Sequence, residues 1–507
     1  MKNKLALISV YYKEGVVDFA KSLVKLGYDI TSTGGTLKML RENGIDAIDV
    51  TELTNFEEIL DGRVKTLAPQ IFAGILYRRD KKDHVETVES KNIRPIDMVV
   101  NVLYPFEETV ANKDSTEEEI IEKIDIGGPS MIRAAAKNHK DVIIVTSNKD
   151  YNEVIEKISS GKDDYNYRKE LAKRAFIRTC KYEIAISNYF MRDEGDFKDN
   201  LLLGYEKEDE LRYGENPHQK AAFYKPINDD EFEKLNIIQG KKLSYNNMLD
   251  ISSAIDFMKN FTDENTVIGI KHLNPCAIAS DSDLETAYDK CIKGDSESIF
   301  GGIVALNGEV TKSLAEKMTS FFLEIVIAPS FTEEAIEVFT KKKNLRVIEY
   351  KELGINNKKT EIREVFGGIL LQEKDLSLYD SLDVVTDRKP SDKELEDLIF
   401  AYKVVKCTKS NSVCIVKDKR TLGVGLGDVN RFFASSHALD MAKDDAKGAV
   451  VASDGFFPFA DSIKAFDEKG IKAIIQPGGS IKDKDTIDYA NKHEISMIFT
   501  NMRHFRH

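Results

Sequence analysis

Lys271-His272 stands where acid/base chemistry could begin. The pair ends an apolar, strand-like run, Val267-Ile-Gly-Ile270, and precedes Asn274-Pro275. A cation and an imidazole at the end of a buried strand must find polar partners or open into a cleft. Two cationic groups side by side are one way to make a base that works near neutral pH. A solvated lysine beside a structural histidine explains the same two residues. A second constellation is Asp125-Ile-Gly-Gly-Pro-Ser-Met-Ile-Arg-Ala-Ala-Ala-Lys-Asn138. Gly127 and Gly128 allow a turn, Pro129 suits the first helical position, and Arg133 and Lys137 then share a helix face. The N–H groups at the start of that helix would favour an anion. Asp125 and Lys137 make an acid/base pair on this reading. A surface helix with two solvated cations is the plainer one.

Three further stretches are dense in hydrogen-bonding groups. Ser32-Thr-Gly-Gly-Thr36 follows a strand and opens a helix, so it could offer hydroxyls and N–H groups to a phosphate. Gly62-Arg-Val-Lys-Thr-Leu-Ala-Pro69 carries Arg63 and Lys65, which would point the same way if the segment is extended; taken alone, a structural salt bridge explains it better. Leu211-Arg-Tyr-Gly-Glu-Asn-Pro-His-Gln-Lys220 is either a binding loop or an exposed bend. Gly423-Val-Gly-Leu-Gly427 resembles a dinucleotide loop, but Asp428 stands near where the third glycine is needed, and that reading is rejected.

These residues must be held by more than one core. The chain has 507 residues, 42% hydrophobic and 31% charged, which fits a soluble protein of two or more domains. Its 73 basic and 86 acidic residues give a net charge of -13, which argues against nucleic acid as the main partner. A small anion needs only a few local cations. Five cysteines without a Cys-x-x-Cys and eight scattered histidines argue against a disulfide framework or a metal cluster, with a reducing cytosol as the simplest setting. No run is long enough to span a membrane.

Residues 5 to about 190 alternate strand and helix patterns: Leu5–Val10, a helical face at Val16, Phe19, Ala20 and Leu23, then Tyr28–Thr31, a turn at Gly34-Gly35 and a helix over Leu37–Asn43. Asp97–Val102 and Asp141–Val145 are further apolar strands. Such alternation predicts an α/β fold with a mostly parallel sheet. The charged segment Met191–Glu210 reads as a boundary. Beyond it, Lys271–Cys276 echoes Lys409–Cys414, and Ile299–Leu306 echoes Ala449–Phe459; this is either a duplication or chance.

Across nearly its whole length the chain resembles the bifunctional family that joins aminoimidazole carboxamide ribotide (AICAR) formyltransferase to IMP cyclohydrolase. The matches are Ser32–Thr36, Gly62–Thr66, Tyr104-Pro-Phe106, Asp125–Asn138, Arg212–Gln219, Leu243–Asn247, Lys271-His272, Phe300-Gly-Gly302, Lys409–Asn411, Arg431, Ser453–Phe459 and Met502–Phe505. The resemblance implies a methylglyoxal-synthase-like parallel-sheet domain over 1–198, then a formyltransferase domain over 199–507 built from two cytidine-deaminase-like α/β subdomains without the deaminase zinc. It implies formyl transfer from 10-formyltetrahydrofolate to AICAR, then dehydrative closure of formyl-AICAR to IMP. No tightly bound cofactor, metal, nucleic acid or membrane is implied, and the family is homodimeric with shared sites. In the second domain it implies Lys271, His272 and Asn411 as catalytic. Arg212, Tyr213 and Arg503 would contact phosphate and substrate, with Asn247, Arg431, Phe456 and Asp461 lining the pocket. In the first, Lys65 would stabilise the oxyanion, Tyr104, Asp125 and Lys137 would move protons, and Lys13, Ser32, Gly34, Thr36, Arg63 and Thr66 would hold the nucleotide. The chain departs from the family at Tyr11, Glu14 and Ala68, all in the first half. A formyltransferase with a weakened cyclohydrolase, or a non-catalytic nucleotide-binding regulator, are the rival readings.

Overall fold

The computed structural model describes residues 3–60, 63–227, 231–355 and 359–507. Contacts divide the chain into two compact units, Met1–Tyr205 with Pro226–Asn228, and Glu206–Lys225 with Asp229–His507.

The first unit is built on five strands, β1 (Lys4–Val10), β2 (Tyr28–Ser32), β3 (Ala47–Asp49), β4 (Met98–Val102) and β5 (Ile143–Val145). They pair in the order β3-β2-β1-β4-β5, all parallel. Apolar runs such as Leu5-Ala-Leu-Ile8 are buried on both faces, as a helix-covered parallel sheet requires. Gly34-Gly35 does not make a separate turn. The helix Gly34–Glu42 starts there, with Gly34 at φ 56, and stops before Gly44 at φ 78. The 26-residue helix Tyr165–Phe190 closes the unit and buries Leu171, Ala172, Ala175 and Tyr182.

In the second unit β6 (Tyr205–Leu211) and β7 (Ala221–Pro226) form a hairpin. The strands β8 (Asn236–Gln239), β9 (Asn265–Lys271), β10 (Asn274–Asp281), β11 (Ile303–Leu306), β12 (Ile325–Ala328) and β13 (Arg346–Glu349) make half of a twelve-stranded sheet. A separate hairpin, β14 (Thr360–Val365) and β15 (Gly368–Glu373), follows. The other half comprises β16 (Asp383–Val384), β17 (Val413–Lys417), β18 (Arg420–Gly425), β19 (Val450–Ser453), β20 (Ala473–Gln476) and β21 (Ser496–Phe499).

The two halves have one topology. Read outward from the centre, each runs hairpin, antiparallel strand, two parallel steps, antiparallel edge: β10-β9-β11-β12-β13-β8 and β18-β17-β19-β20-β21-β16. They join through β10 and β18, antiparallel at Ala279 and Arg420. The duplication hinted at in the sequence is therefore present. β11 and β19 do correspond, but Lys271 ends β9 whereas Lys409 precedes β17, so those two motifs are not counterparts. The expected pair of subdomains are halves of one sheet, not separate bodies. Helices Tyr245–Met258 and Asp392–Cys407 share one continuous core on one face, and each half has its own core on the other. Among the described residues no helix is long and apolar enough to cross a membrane.

Candidate active sites

In the first unit the site forms where β1, β2 and β4 end. Ser32, at the end of β2, is buried and donates to the Ile8 carbonyl at 2.6 Å. Thr36 donates to the Val10 carbonyl at 3.1 Å and accepts from the Lys13 ammonium at 2.7 Å. Lys13 also donates to the Val10 carbonyl. Lys65 lies over Gly34, its Nζ 3.6 Å from where a Cβ would be. Burial, and next the charge of Lys65, push the Lys13 ammonium below its ordinary pKa. Two cations beside the first N–H groups of a helix would favour an anion, which would remove their repulsion.

The carboxylate is also in place. Asp125 accepts from the Gly128 N–H at 2.7 Å, and a Cβ on Gly128 would come within 2.3 Å of its Oδ2, so glycine is needed there. The backbone N–H of Asp125 donates to the Tyr182 hydroxyl at 2.8 Å, which donates to the Lys123 carbonyl at 2.8 Å. Burial raises the Asp125 carboxyl above its ordinary value, while the Gly128 N–H and the Lys65 charge pull it back. Burial, and next the Asp125 charge, raise the Tyr104 phenol. Thr66 Oγ1 lies 2.8 Å from where a Cβ of Gly127 would stand. Lys13, Lys65, Thr66, Tyr104 and Asp125 therefore converge.

Two expected members do not. Residues 63–66 are not an extended strand; apart from an isolated bridge from Val64 to Ile59 they are turn and bend. Arg63 and Lys65 then go to different partners, Glu122 and Glu58. Lys137 is exposed in the last turn of the helix Gly127–Lys137. That helix has 11 residues, so α-helical rise puts Lys137 roughly 15 Å from Asp125. The helix separates the proposed pair. Gly62 lies outside the described residues. Of the departures, Glu14 is exposed, Tyr11 packs edge-on against Tyr104 with centroids 5.4 Å apart, and Ala68 precedes the helix Pro69–Leu76 as its N-cap.

In the second unit the strand register gathers the candidates at one end of the sheet. Lys271 pairs with Asn274 around the β9–β10 turn, Val413 pairs with Gly425 and with Ser453, and Ile303 pairs with Ile270. That end therefore carries the His272–Leu273 turn, the segment before β17 and the ends of β18 and β19. Two clusters result. In one, Lys271 donates to the Phe300 carbonyl at 2.8 Å, and Arg212, Tyr213 and Asn247 line an adjoining cleft of about 900 Å³ with Phe300, Phe322 and Arg346. Asn247 donates to Glu324 at 3.3 Å.

In the other cluster Arg431 is buried. It donates to Asn411 Oδ1 at 2.7 Å and to Ser453 Oγ at 2.7 Å, and pairs with the fully buried Asp454. Asn411 Nδ2 donates to the Asp428 carbonyl at 2.8 Å, and Ser410 to Asp454 at 2.6 Å. Phe456, Asp461 and Arg503 follow β19 and β21 on the same side and are exposed. Between Lys271 on β9 and Asn411 before β17 lie three strand spacings, roughly 14 Å. One chain does not bring the two clusters into contact along its sheet.

Asp454 and Ser410 were not singled out from sequence. A charged residue ending the apolar run Ala449-Val-Val-Ala-Ser453 was the available signal. The glycines of Gly423–Gly427 serve packing: a Cβ on Gly425 would stand 1.9 Å from the Ala434 carbonyl of the helix Arg431–Ala442. Among the described residues no group of three or more His, Cys, Asp or Glu could hold a metal.

Comparison with known proteins assigns the chain to a family. The family model for the AICARFT/IMPCHase bienzyme matches residues 135–441, and that for the MGS-like domain matches 15–130. The chain belongs to the AICARFT/IMPCHase bienzyme family. Relatives named bifunctional purine biosynthesis protein PurH are 53% identical in Caldicellulosiruptor bescii, over all of both chains, and 51% in Caldicellulosiruptor saccharolyticus, over 99% of this chain and all of the relative. One from Oceanobacillus iheyensis is 46% identical over all of both. The bienzyme's N-terminal half is thus the methylglyoxal-synthase-like sheet expected, and the family is one of enzymes.

Proposed function

We propose that this bienzyme carries out the last two steps of purine nucleotide assembly at two separate sites, one in each unit. In the second unit the AICAR amine attacks the formyl carbon of 10-formyltetrahydrofolate. That amine is a weak nucleophile because its lone pair is delocalised into the imidazole. His272 takes the proton it loses, and Lys271 stabilises the oxyanion and protonates the departing folate nitrogen. The bond from Lys271 to the Phe300 carbonyl aims the ammonium along the sheet end. The adjoining cleft suits the co-substrate, with Phe300 and Phe322 as apolar wall and Arg212 and Arg346 as cations.

In the first unit the carboxamide nitrogen of formyl-AICAR attacks the formyl carbon. Lys65 stabilises the oxyanion, and Asp125 and Tyr104 move the protons that leave with water. Lys13, Ser32 and Thr36 hold the phosphate end. Lys137 is given no part within this unit, because the helix carries it away from Asp125. The convergence of Lys65, Tyr104 and Asp125 carries this half of the reading. A binder needs the cations for phosphate but has no use for a half-buried carboxylate beside a phenol.

The two clusters of the second unit support a homodimer in which each formyltransferase site takes Lys271 and His272 from one protomer and Asn411 and Arg431 from its partner. Mixing chains tests this. His272→Ala and Asn411→Ala chains, each inactive alone, should regain about a quarter of wild-type formyl transfer, since random pairing leaves one site in four intact. No recovery, with subunit exchange verified, would show that both residues come from one chain.

A further inference from the structure

We infer that Asp250 is a positioning residue for formyl transfer, clamping the turn that presents His272. The inference rests on the reading of Lys271-His272 as the catalytic pair. His272 and Leu273 are the two central residues of the β9–β10 hairpin, with φ of 54° and 66°. A two-residue turn with both central residues left-handed ordinarily takes Asn-Gly, because side chains with a Cβ resist that region. The turn therefore needs a hold from outside, and it has one. Asp250, on the helix Tyr245–Met258, accepts the Leu273 N–H at 2.8 Å. Asp250 is itself partly buried, while the turn it holds is exposed.

The duplication supplies an internal control. The β17–β18 hairpin turns through Asp418 and Lys419, with φ of 55° and 51°. Asp397, on the helix Asp392–Cys407, accepts both of their N–H groups, at 2.9 and 2.7 Å. Asp250 and Asp397 stand at the same place in equivalent helices, each six residues after a serine N-cap, Ser244 and Ser391. A carboxylate holding a strained turn is thus a device of this fold used twice. The register places the second turn at the opposite end of the sheet from His272, where Lys419 is paired with Glu264 and Glu396. Only the first turn carries an imidazole to the candidate site. What was a structural clamp in one half holds a reacting group in the other.

The test compares the two clamps in the full-length chain. Asp250→Ala should lower kcat for formyl transfer on the order of ten- to a hundredfold, as a small misplacement of a reacting group does, with KM for AICAR within about twofold. Closure of supplied formyl-AICAR by the same preparation should be unchanged. Asp397→Ala should lower the melting temperature yet leave kcat and KM as they were. Adding Leu273→Gly to Asp250→Ala should restore most of kcat, because glycine adopts the turn without a clamp. Equal loss of kcat from both aspartate variants would overturn the inference, and so would a changed KM with unchanged kcat, or no rescue by Leu273→Gly. If Asp250→Ala does not fold, Asp250→Asn decides. Its amide oxygen can still accept the bond, and kcat near wild type supports the clamp, whereas a hundredfold loss rejects it. His272→Ala is run alongside. Full activity there would reject the catalytic reading itself, while an inactive His272→Ala beside a fully active Asp250→Ala would reject only the clamp.

Discussion

At the scale of single residues, the costs borne by the two sites are the clearest sign of their use. Asp125 would be cheaper to bury as an amide, because burial raises its carboxyl above the ordinary 3.8. The sign follows. Below 3.8 the group is protonated folded or unfolded and costs nothing; as pH rises past 3.8 the unfolded chain ionises first, so stability is lost up to the folded pKa and stays lost above it. Asp125→Asn keeps an oxygen for the Gly128 N–H. It is expected to raise the melting temperature at pH 7, with the gain shrinking toward pH 4, while ring closure falls by at least a hundredfold. Equal melting temperatures across that range would contradict the burial argument. Arg431 and Asp454 show the opposite case, a buried pair whose members depend on each other. Arg431→Ala should cost about 3–5 kcal/mol in denaturant unfolding, because Asp454 is left buried without its partner. A cost below about 1 kcal/mol would mean that water reaches Asp454.

At the scale of elements, position is set by how strands end and how closely helices approach. Gly425 lets the helix Arg431–Ala442 lie directly on β18, and the Ala434 carbonyl fills the space a Cβ would need. Gly425→Ala should push that helix outward, destabilise the chain by about 1–3 kcal/mol and lower formyl transfer through Arg431, leaving ring closure intact. Unchanged formyl transfer would separate Arg431 from the reaction. Much at this scale was legible in the sequence. The apolar runs Leu5–Val10 and Val267–Ile270 lie where periodicity puts them, whereas the helix after Asp125 begins at Gly127 itself, so the two glycines are helical and Pro129 is its third residue, not its first. What could not be read was distance. Spacing along the chain put Asp125 and Lys137 in one motif, and the helix that joins them also holds them apart. Nor could it show that the turn and bend over residues 63–66 send Arg63 to Glu122 instead of alongside Lys65. Asp250 and Asp397 were equally silent, because their roles show only once two hairpins are seen to share a topology.

At the scale of the whole molecule, two chemistries fall in two separate units. Tyr182 ties the long helix Tyr165–Phe190 to the backbone at Asp125, so the first site is complete only with that helix present. A fragment ending at Tyr205, the contact boundary, is expected to fold and close formyl-AICAR, and one ending before Tyr165 to do neither. The claim that the sites work in sequence is tested most directly by one time course. Wild-type, His272→Ala and Asp125→Asn chains are each given AICAR and 10-formyltetrahydrofolate, and formyl-AICAR and IMP are followed together. The wild type should make IMP. His272→Ala should make neither product yet still convert supplied formyl-AICAR, and Asp125→Asn should accumulate formyl-AICAR with little IMP. IMP formed at the wild-type rate by either variant, or loss of both steps from one folded variant, would contradict it.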